Sequence, residues 1–550
     1  MPAPRLTDSE ILRRVKLWES HGRSYNAAAK SVGKRHQFIS SAIEQARHRG
    51  LIAADGEPGS ATTPAPPERT ALRKARAAPR KRAIWLLTAA QDETALHRPF
   101  WGNLMAYAEH LGASVMVGGF TYQKGLFEDH SVRTGIFSPE VEPFLQPAVI
   151  DLAPGLVWYG RANILPTASD PLSGWDTQTR GKWMVAPHAK IALKSVATMP
   201  GTRPKQIMTT GVATVENYVQ RNAGQKAEFH HTIGATIVEV APDGAFWCRQ
   251  IAALADGSFQ DLDRVVANGK VTTGHRVEAI TFGDLHAEQI DQVCARAALG
   301  LAPGDDAVQP GSMLDAMKPR AWFIHDSYDF TARSHHTRND PHERARRIAE
   351  GHDDVRAALA GVAAYLARLR RPFGEMVHVA SNHNMHLDGW LKDYRAAGDA
   401  VNAGYWHALN AAWHEAIAAG ASSRWLIHEY ALRNLATDRL EGVRFLSEGE
   451  SYVVCQGVGP IECGLHSHVG ARGARGSLPS LARIVERVNI GHGHGPGVRE
   501  GAYMSGTLSR RDAAWANKGP GDWQPASTFT YPNGKRSLVT QWDDGRWRLT

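Results

Sequence analysis

The chain has 550 residues, 43% hydrophobic and 21% charged. That is an ordinary globular composition, too long for a single core, and it predicts two to four domains. No apolar run is long enough to span a bilayer, so no transmembrane helix is expected. The opening Met-Pro-Ala-Pro-Arg-Leu-Thr-Asp has no apolar signal core, so a cytoplasmic protein is expected, with no membrane partner. The four cysteines are scattered, with no Cys-x-x-Cys pair, and read as thiols in a reducing compartment. The net charge of +8 is uneven: residues 1–82 hold 17 Lys/Arg against 7 Asp/Glu, and the remainder 46 against 48. The basic character therefore sits at the front of the chain, where it suits contact with nucleic acid.

Thr7-Asp8-Ser9-Glu10 is a capping box opening a helix to about Ser20. A second helix is expected over Tyr25–Ser31, a turn at Gly33, and a third helix from about Arg35 to Arg49. Ala29, Gly33 and Ile39 keep the spacing of a helix-turn-helix, so residues 1–52 are expected to be a small all-α DNA-binding module. Lys34, Arg35, His36, Gln37 and Ser40 at the start of its third helix are of the types that reach phosphates and base edges. Residues 53–82, rich in Ala, Pro and Arg and without hydrophobic periodicity, read as a flexible basic linker.

From Ala83 an apolar strand, a helix over Pro99–Leu111 and a strand over Ala113–Gly118 form a βαβ opening, which predicts a parallel sheet. Ala235–Val240 and Ala245–Arg249 flank the turn Pro242-Asp243-Gly244. Residues 83–273 are read as an α/β domain of their own, without a chemical motif. A second α/β domain is expected over 274–511. Long helical patterns at His286–Leu299 and Pro341–Arg370 are expected to cover its sheet. Residues 512–550 are expected to be a C-terminal β-hairpin extension, with turns at Pro532-Asn533-Gly534 and Asp543-Asp544-Gly545.

Five patches carry the chemistry: Gly283-Asp284-Leu285-His286, His325-Asp326-Ser327-Tyr328-Asp329, Ser381-Asn382-His383-Asn384, Gly464-Leu465-His466-Ser467-His468 and Gly491-His492-Gly493-His494. Each follows a predicted strand: Val277–Phe282, Ala321–Ile324, Met376–Ala380, Ile461–Gly464 and Val488–Ile490. The carboxyl edge of an α/β sheet is where ligand sites assemble. Oxygen and imidazole donors without cysteine suit a pair of borderline divalent ions, Mn²⁺ first, with Fe, Zn, Mg or Ni as alternatives. Paired ions of this kind usually perform phosphoryl chemistry.

The order and spacing of these patches resemble the calcineurin-like metallophosphoesterase family, over about residues 276–511. The resemblance implies an αββα sandwich for that part. It also implies that Asp284, His286 and His494 hold one metal, that Asn382, His466 and His492 hold the other, and that Asp326 bridges them. A water or hydroxide between the ions would be the nucleophile, His383 the catalytic acid, and Asp329 the residue that orients it. Either His466 or His468 could be the ligand of its patch, and His466 is favoured because it directly follows the strand. The chain departs from the family pattern at His325 and Ser381, where glycines are usual, and at Asn384, where an acid is usual. None of these removes a donor. Arg472 and Arg475, in a glycine-rich loop, suit a phosphodiester backbone.

Joined to a DNA-binding module, such a site implies a two-metal-dependent DNA nuclease with DNA as its partner, with room for assembly as a homo-oligomer. Gln91, Phe100-Trp101, Tyr107-Ala108 and Gly473–Ser477 also make the chain similar to phage-encoded metallophosphoesterases of the T5 type. That likeness implies a role in DNA degradation or DNA transfer in the host cytoplasm. The alternatives are a phosphatase or small-nucleotide phosphodiesterase with a DNA-targeting arm, and a DNA-binding regulator with an inert hydrolase domain.

Overall fold

The computed structural model describes residues 7–21, 24–34, 37–48, 51, 82–122, 136–334, 337, 339–422, 424–513 and 519–549. Chain contacts divide it into two units, Met1–Arg76 and Ala77–Thr550.

The first unit contains helices Asp8–Ser20, Tyr25–Ser31 and Gln37–His48. The Thr7 side chain accepts from the backbone of Glu10, and the Glu10 side chain accepts from the backbone of Thr7, closing the capping box that the sequence announces. Ile11, Val15, Trp18, Ala28, Ala29, Ile39, Ile43 and Ala46 form the core. Gly33 takes φ +65° between the second and third helices, a conformation that costs glycine little. The expected linker at 53–82 lies, apart from Arg82, outside the described residues.

In the second unit the described strands form four sheets. One has six strands in the order Val443–Leu446, Glu375–Val379, Ala321–Ile324, Ala279–Thr281, Ala526–Thr530 and Arg536–Thr540. The first four are parallel, so their carboxyl ends share one edge. A ten-stranded sheet includes Val453–Val454, Ile461–Glu462, Val488–Ile490, Ala502–Met504 and Gly497–Arg499, then continues into Leu193–Val196, Lys205–Thr209, Trp183–Ala186, Leu156–Tyr159 and Val149–Ala153. Ile461–Glu462 runs parallel to Val488–Ile490.

The two sheets meet face to face through Ala279, Phe323, Val377 and Val379 on one side and Val454, Ile461 and Cys463 on the other. The opposite face of the six-stranded sheet, carrying Trp322, Ile324 and Met376, is covered by helices Gln292–Leu299, Val355–Leu369 and Ile427–Leu435. Helix Leu478–Ile484 packs Leu481 onto Val488, Ile490 and Ala502 of the other sheet.

Three expectations need correction. Residues 83–273 are not set apart from 274–511: Val498 pairs with Leu193, so one sheet runs across the expected boundary. The segment after 512 is no appendage, because Phe529 pairs with Ile280 inside the six-stranded sheet. The two long helical patterns are broken. His286 has φ +44°, so the helix after it begins only at Gln292, capped by Asp291. Pro341–Arg370 divides at Gly351, with φ +73°, into Pro341–Ala349 and Val355–Leu369. The βαβ opening forms as expected, with Ala83–Gln91 parallel to Ser114–Phe120 and helix Arg98–Leu111 between them. Among the described residues no helix is long and apolar enough to cross a membrane.

Candidate metal centre

The adjoining carboxyl edges of the two sheets bring the five patches together. Just past strand Ala279–Thr281, the backbone N–H groups of Leu285 and His286 donate to the carbonyls of His325 and Asp326, at 3.0 and 2.7 Å. The first two patches are thus bonded to each other. Gly283 allows this approach, since a Cβ there would lie 2.8 Å from the backbone of Gly506 and Thr507. Gly491 is equally constrained: a Cβ would meet Asp284 Oδ1 at 2.2 Å.

Four of the expected ligands, His286, Asp326, His492 and His494, adopt positive φ (44°, 43°, 71° and 55°). Non-glycine residues rarely hold this conformation unless the surrounding structure enforces it, and such strain concentrates at functional sites.

Asp284, His286, Asp326 and His494 are all buried, and one ligand atom from each falls within a single 4.8 Å cluster. His494 Nε2 lies 3.0 Å from Asp284 Oδ2 and 3.1 Å from His286 Nε2, which is itself 3.7 Å from Asp326 Oδ2. On the other side of Asp326, His466 Nε2 stands 3.2 Å from Asp326 Oδ2 and 3.0 Å from Asn382 Oδ1. Asp326 therefore faces both donor groups. Oδ1 of Asp326 and Oδ1 of Asp284 are buried without a hydrogen-bond partner. Buried anionic oxygens left this way are costly unless a cation meets them. The donor set of carboxylate, amide oxygen and imidazole fits borderline divalent ions. His492 sits at the margin, its backbone N–H donating to Asp284 Oδ2 at 2.7 Å and its ring centroid 5.2 Å from that of His466.

Asp329 serves two histidines at once. Its Oδ1 is 2.8 Å from His286 Nδ1 and 3.1 Å from His383 Nδ1. A proton held on His286 Nδ1 leaves its Nε2 lone pair directed at the cluster, the usual way a carboxylate sets the tautomer of a ligating histidine.

The electrostatics are mutual. Burial opposes the charged form of Asp326, but His466, His383 and His286 outweigh it and hold the carboxyl well below its usual range. Burial also opposes ionisation of Asp329, and His286 and His383 likewise overcome it. Burial alone would lower His286, yet Asp329, Asp326 and Asp284 push it up to about 9.

His468 stands beside His466 and His492, with ring centroids 5.4 and 6.2 Å away, and its Nε2 lies 3.2 Å from Glu448 Oε2. Arg472 and Arg475 are both exposed, and Arg475 is close enough for its charge to act on His492. Lys34 is exposed and Ser40 half-buried, whereas Arg35 and the side chain of Gln37 lie outside the described residues.

Sequence reasoning passed over several residues. His325, a departure from glycine in the sequence pattern, forms a buried donor group with Asp284 and His466, its Nδ1 3.3 Å from His466 Nδ1. Burial first, then the neighbouring His466, lowers His325 to about 4. Glu288 is a further residue outside the five patches. Its carboxylate accepts from the backbone N–H groups of Asp329, Phe330 and Thr331 at 2.6, 2.8 and 3.0 Å, fixing the loop that carries Asp329. Asn384 and Ser381 account for two of the departures: Ser381 Oγ donates to Asn384 Oδ1 at 2.7 Å, and Asn384 Nδ2 donates to Ser327 Oγ at 3.2 Å. The substituted residues tie the second and third patches together. A glutamate two positions after a candidate ligand was the available signal for Glu288; nothing in the sequence singled out the Asn384 contacts.

Comparison with known proteins gives a relative that covers most of the chain. Over 465 residues the chain is 34% identical to the protein named "Protein A1" of Escherichia phage T5, covering 83% of this chain and 81% of that one. No protein-family model matches. No solved structure matches either.

Proposed function

The chain belongs to the family of phage T5 Protein A1, and from that premise and its metal-type cluster we propose that it is a phage-encoded, two-metal-dependent DNA nuclease of the metallophosphoesterase type. The observation that carries this reading is Asp326, a buried carboxylate set between two groups of donors with its Oδ1 unsatisfied. On one side of it stand Asp284, His286 and His494, and on the other His466 and Asn382. A residue so placed suits a bridge between two cations. In the proposed assignment Asp284, His286 and His494 hold one ion, Asn382, His466 and His492 hold the other, and Asp326 is shared. The layering of two face-to-face sheets between helices is compatible with the αββα sandwich of that family.

When bound, divalent ions supply Lewis acidity toward a phosphodiester and lower the pKa of water. The chain's own residues contribute position and protons. Asp329 holds the Nδ1 proton of His383, so proton transfer falls to Nε2, from which His383 protonates the departing alkoxide oxygen. The same carboxylate holds His286, so the acid and the metal ligand keep one orientation relative to each other. Glu288 fixes the backbone beneath Asp329. In this reading the basic N-terminal unit, with Lys34 and Ser40 beside its turn, brings the enzyme to its polymer, and Arg472 and Arg475 contact the backbone near the site.

The test is hydrolysis of bis-p-nitrophenyl phosphate by the full chain with Mn²⁺, against Asp326→Ala. Hydrolysis that requires metal and disappears in the variant, with DNA affinity intact, supports the reading. Hydrolysis unchanged in Asp326→Ala refutes the assignment. Absence of hydrolysis in the unaltered chain favours a DNA-binding regulator with an inert hydrolase domain.

A further inference from the structure

A groove of about 490 Å³ opens beside the metal-type cluster. Its walls include Met199, Pro200, Thr202, Arg510, Arg511 and Trp523. The indole of Trp523 stands edge-on to the imidazole of His494, with ring centroids 4.2 Å apart and planes at 90°. One wall residue of the groove therefore packs directly against a candidate metal ligand. We propose that this groove binds a single-stranded segment of polynucleotide whose scissile phosphate lies at the metal centre; the proposal rests on the hydrolase reading above.

The lining has the two chemistries that a strand requires. Trp523, Pro200 and Met199 offer apolar surface for an unstacked base, and base–aromatic stacking tolerates any sequence. Arg510 and Arg511 offer guanidinium groups suited to phosphate oxygens. Both arginines are steered by neighbours and remain partly exposed. Arg510 donates to Gln289 Oε1 at 2.8 Å, and Arg511 pairs with Asp543 at 2.8 Å while keeping 35% of its side chain exposed.

Arg203, which lies between Thr202 and Pro204 in the chain, is not part of the lining. It is held over the rings of Trp542, at 4.0 Å, and Trp183, at 5.3 Å, and its Nη2 donates to the carbonyl of Gln541 at 2.9 Å. Its Nη1 is buried without a partner. The lining also contains two carboxylates, Asp291 and Asp512. Asp291 is committed to capping helix Gln292–Leu299 through the N–H groups of Val293 and Cys294, and Asp512 lies 4.0 Å from Arg510 Nε.

The volume matters to the choice of substrate. A small phosphate ester needs only the metal cluster, whereas this additional space falls within the range of sites that enclose a nucleotide-sized group. A duplex keeps its bases stacked on each other, so an aromatic wall of this kind favours an opened strand or end.

The test uses the full chain with Mn²⁺ and two substrates, an oligothymidylate about eight nucleotides long and bis-p-nitrophenyl phosphate. In Arg511→Ala and in Trp523→Ala, the ratio of kcat/KM for the oligonucleotide to that for the small diester should fall about tenfold or more. A second measurement needs no variant. The same oligonucleotide carrying 5-iodouracil is photo-crosslinked to the unaltered, chelator-treated chain, and the adducts are mapped by mass spectrometry. An adduct on Trp523 or on the Met199–Thr202 wall is expected. Adducts confined to other parts of the chain, or a ratio unchanged in folded variants, overturn the groove assignment. Should the variants fail to fold, the crosslink decides alone. Failure of the unaltered chain to hydrolyse even the small diester is a different result: it removes the hydrolase reading on which the groove proposal rests.

Discussion

Adding Mn²⁺ to chelator-treated protein should raise its melting temperature, and Asp326→Ala should abolish most of the rise. A ligand that binds only the folded state stabilises it by RT ln(1 + [L]/Kd), about 2.7 kcal/mol at a hundredfold excess over Kd. Unfolding entropy near 60 °C is about 2.1 cal/mol/K per residue, which gives roughly 1 kcal/mol/K for a unit the size of Ala77–Thr550. One ion at that excess therefore raises Tm by about 3 °C, and two ions by about 5 °C. Asp326 faces both donor groups, so its loss removes a ligand from each, and the shift should fall below about 1 °C. Differential scanning calorimetry at several Mn²⁺ concentrations measures this directly. The metal-free variant provides an internal contrast. Asp326 leaves Oδ1 unsatisfied, whereas the equally buried Asp261 accepts on both oxygens from Tyr107 and Arg249. Asp261→Ala should therefore destabilise the metal-free protein more than Asp326→Ala does. A full Mn²⁺ shift in Asp326→Ala, or none in the unaltered chain, would refute the reasoning.

Other expectations follow from the same contacts. Arg249 donates to Asp261 at 2.5 and 2.7 Å and to Glu239 at 3.0 Å, all buried, so Arg249→Met leaves two uncompensated carboxylates and should cost about 3–5 kcal/mol in urea unfolding at pH 7. Burial raises Asp261, but Arg249 more than offsets it and keeps the carboxyl below its usual value. The stability this pairing contributes is therefore present above the unfolded value of about 3.9 and lost as pH falls through the lower folded value. The variant's unpaired Asp261 takes up its proton at higher pH, so the stability gap should narrow between about pH 7 and 4; a gap that widens contradicts the pairing. Glu288→Ala strips three backbone N–H groups of their acceptor and should lower kcat about a hundredfold by displacing Asp329, while Glu288→Gln, which keeps one acceptor oxygen, should lose less. Equal losses in the two variants, or none, would detach Glu288 from catalysis. Deleting residues 1–82 should weaken DNA binding and flatten its dependence on salt, as read by titrations at two ionic strengths. An unchanged salt slope would remove DNA contact from that segment.

The parts of the fold that were legible in the sequence are those set by local pattern. Ala321–Ile324 and Val488–Ile490 appear at their expected limits because each is a short strand-forming run, apolar but for Asn489, followed by a polar ligand patch. The capping box at Thr7 and the turn at Gly33 are local chemistry and form as read. The joining of Leu193–Val196 to Gly497–Arg499 was not legible, since residues some 300 apart pair without any compositional mark. For the same reason the boundary expected near 273 dissolved into a shared sheet. The end of the His286 helical pattern was hidden because apolar spacing continues through Leu299, while the left-handed backbone of His286 is imposed by its bonds to the second patch.

The site divides along similar lines. Asp284, His286, Asp326, Asn382, His466 and His494 converge, and their residue types and order were visible before the fold was. The shared role of Asp329, the Glu288 cradle and the approach of His325 to His466 depend on side-chain directions that spacing alone does not specify.

The central claim is tested most directly by incubating linear and closed-circular double-stranded DNA with the full chain in Mn²⁺, in Mg²⁺ and in EDTA, beside His383→Ala. The account predicts cutting that requires a divalent ion and falls about 10²–10⁴-fold in the variant while metal binding persists. Comparison of the two substrates then separates end-dependent from internal cleavage. Cutting that survives in EDTA, or at full rate in His383→Ala, would contradict it.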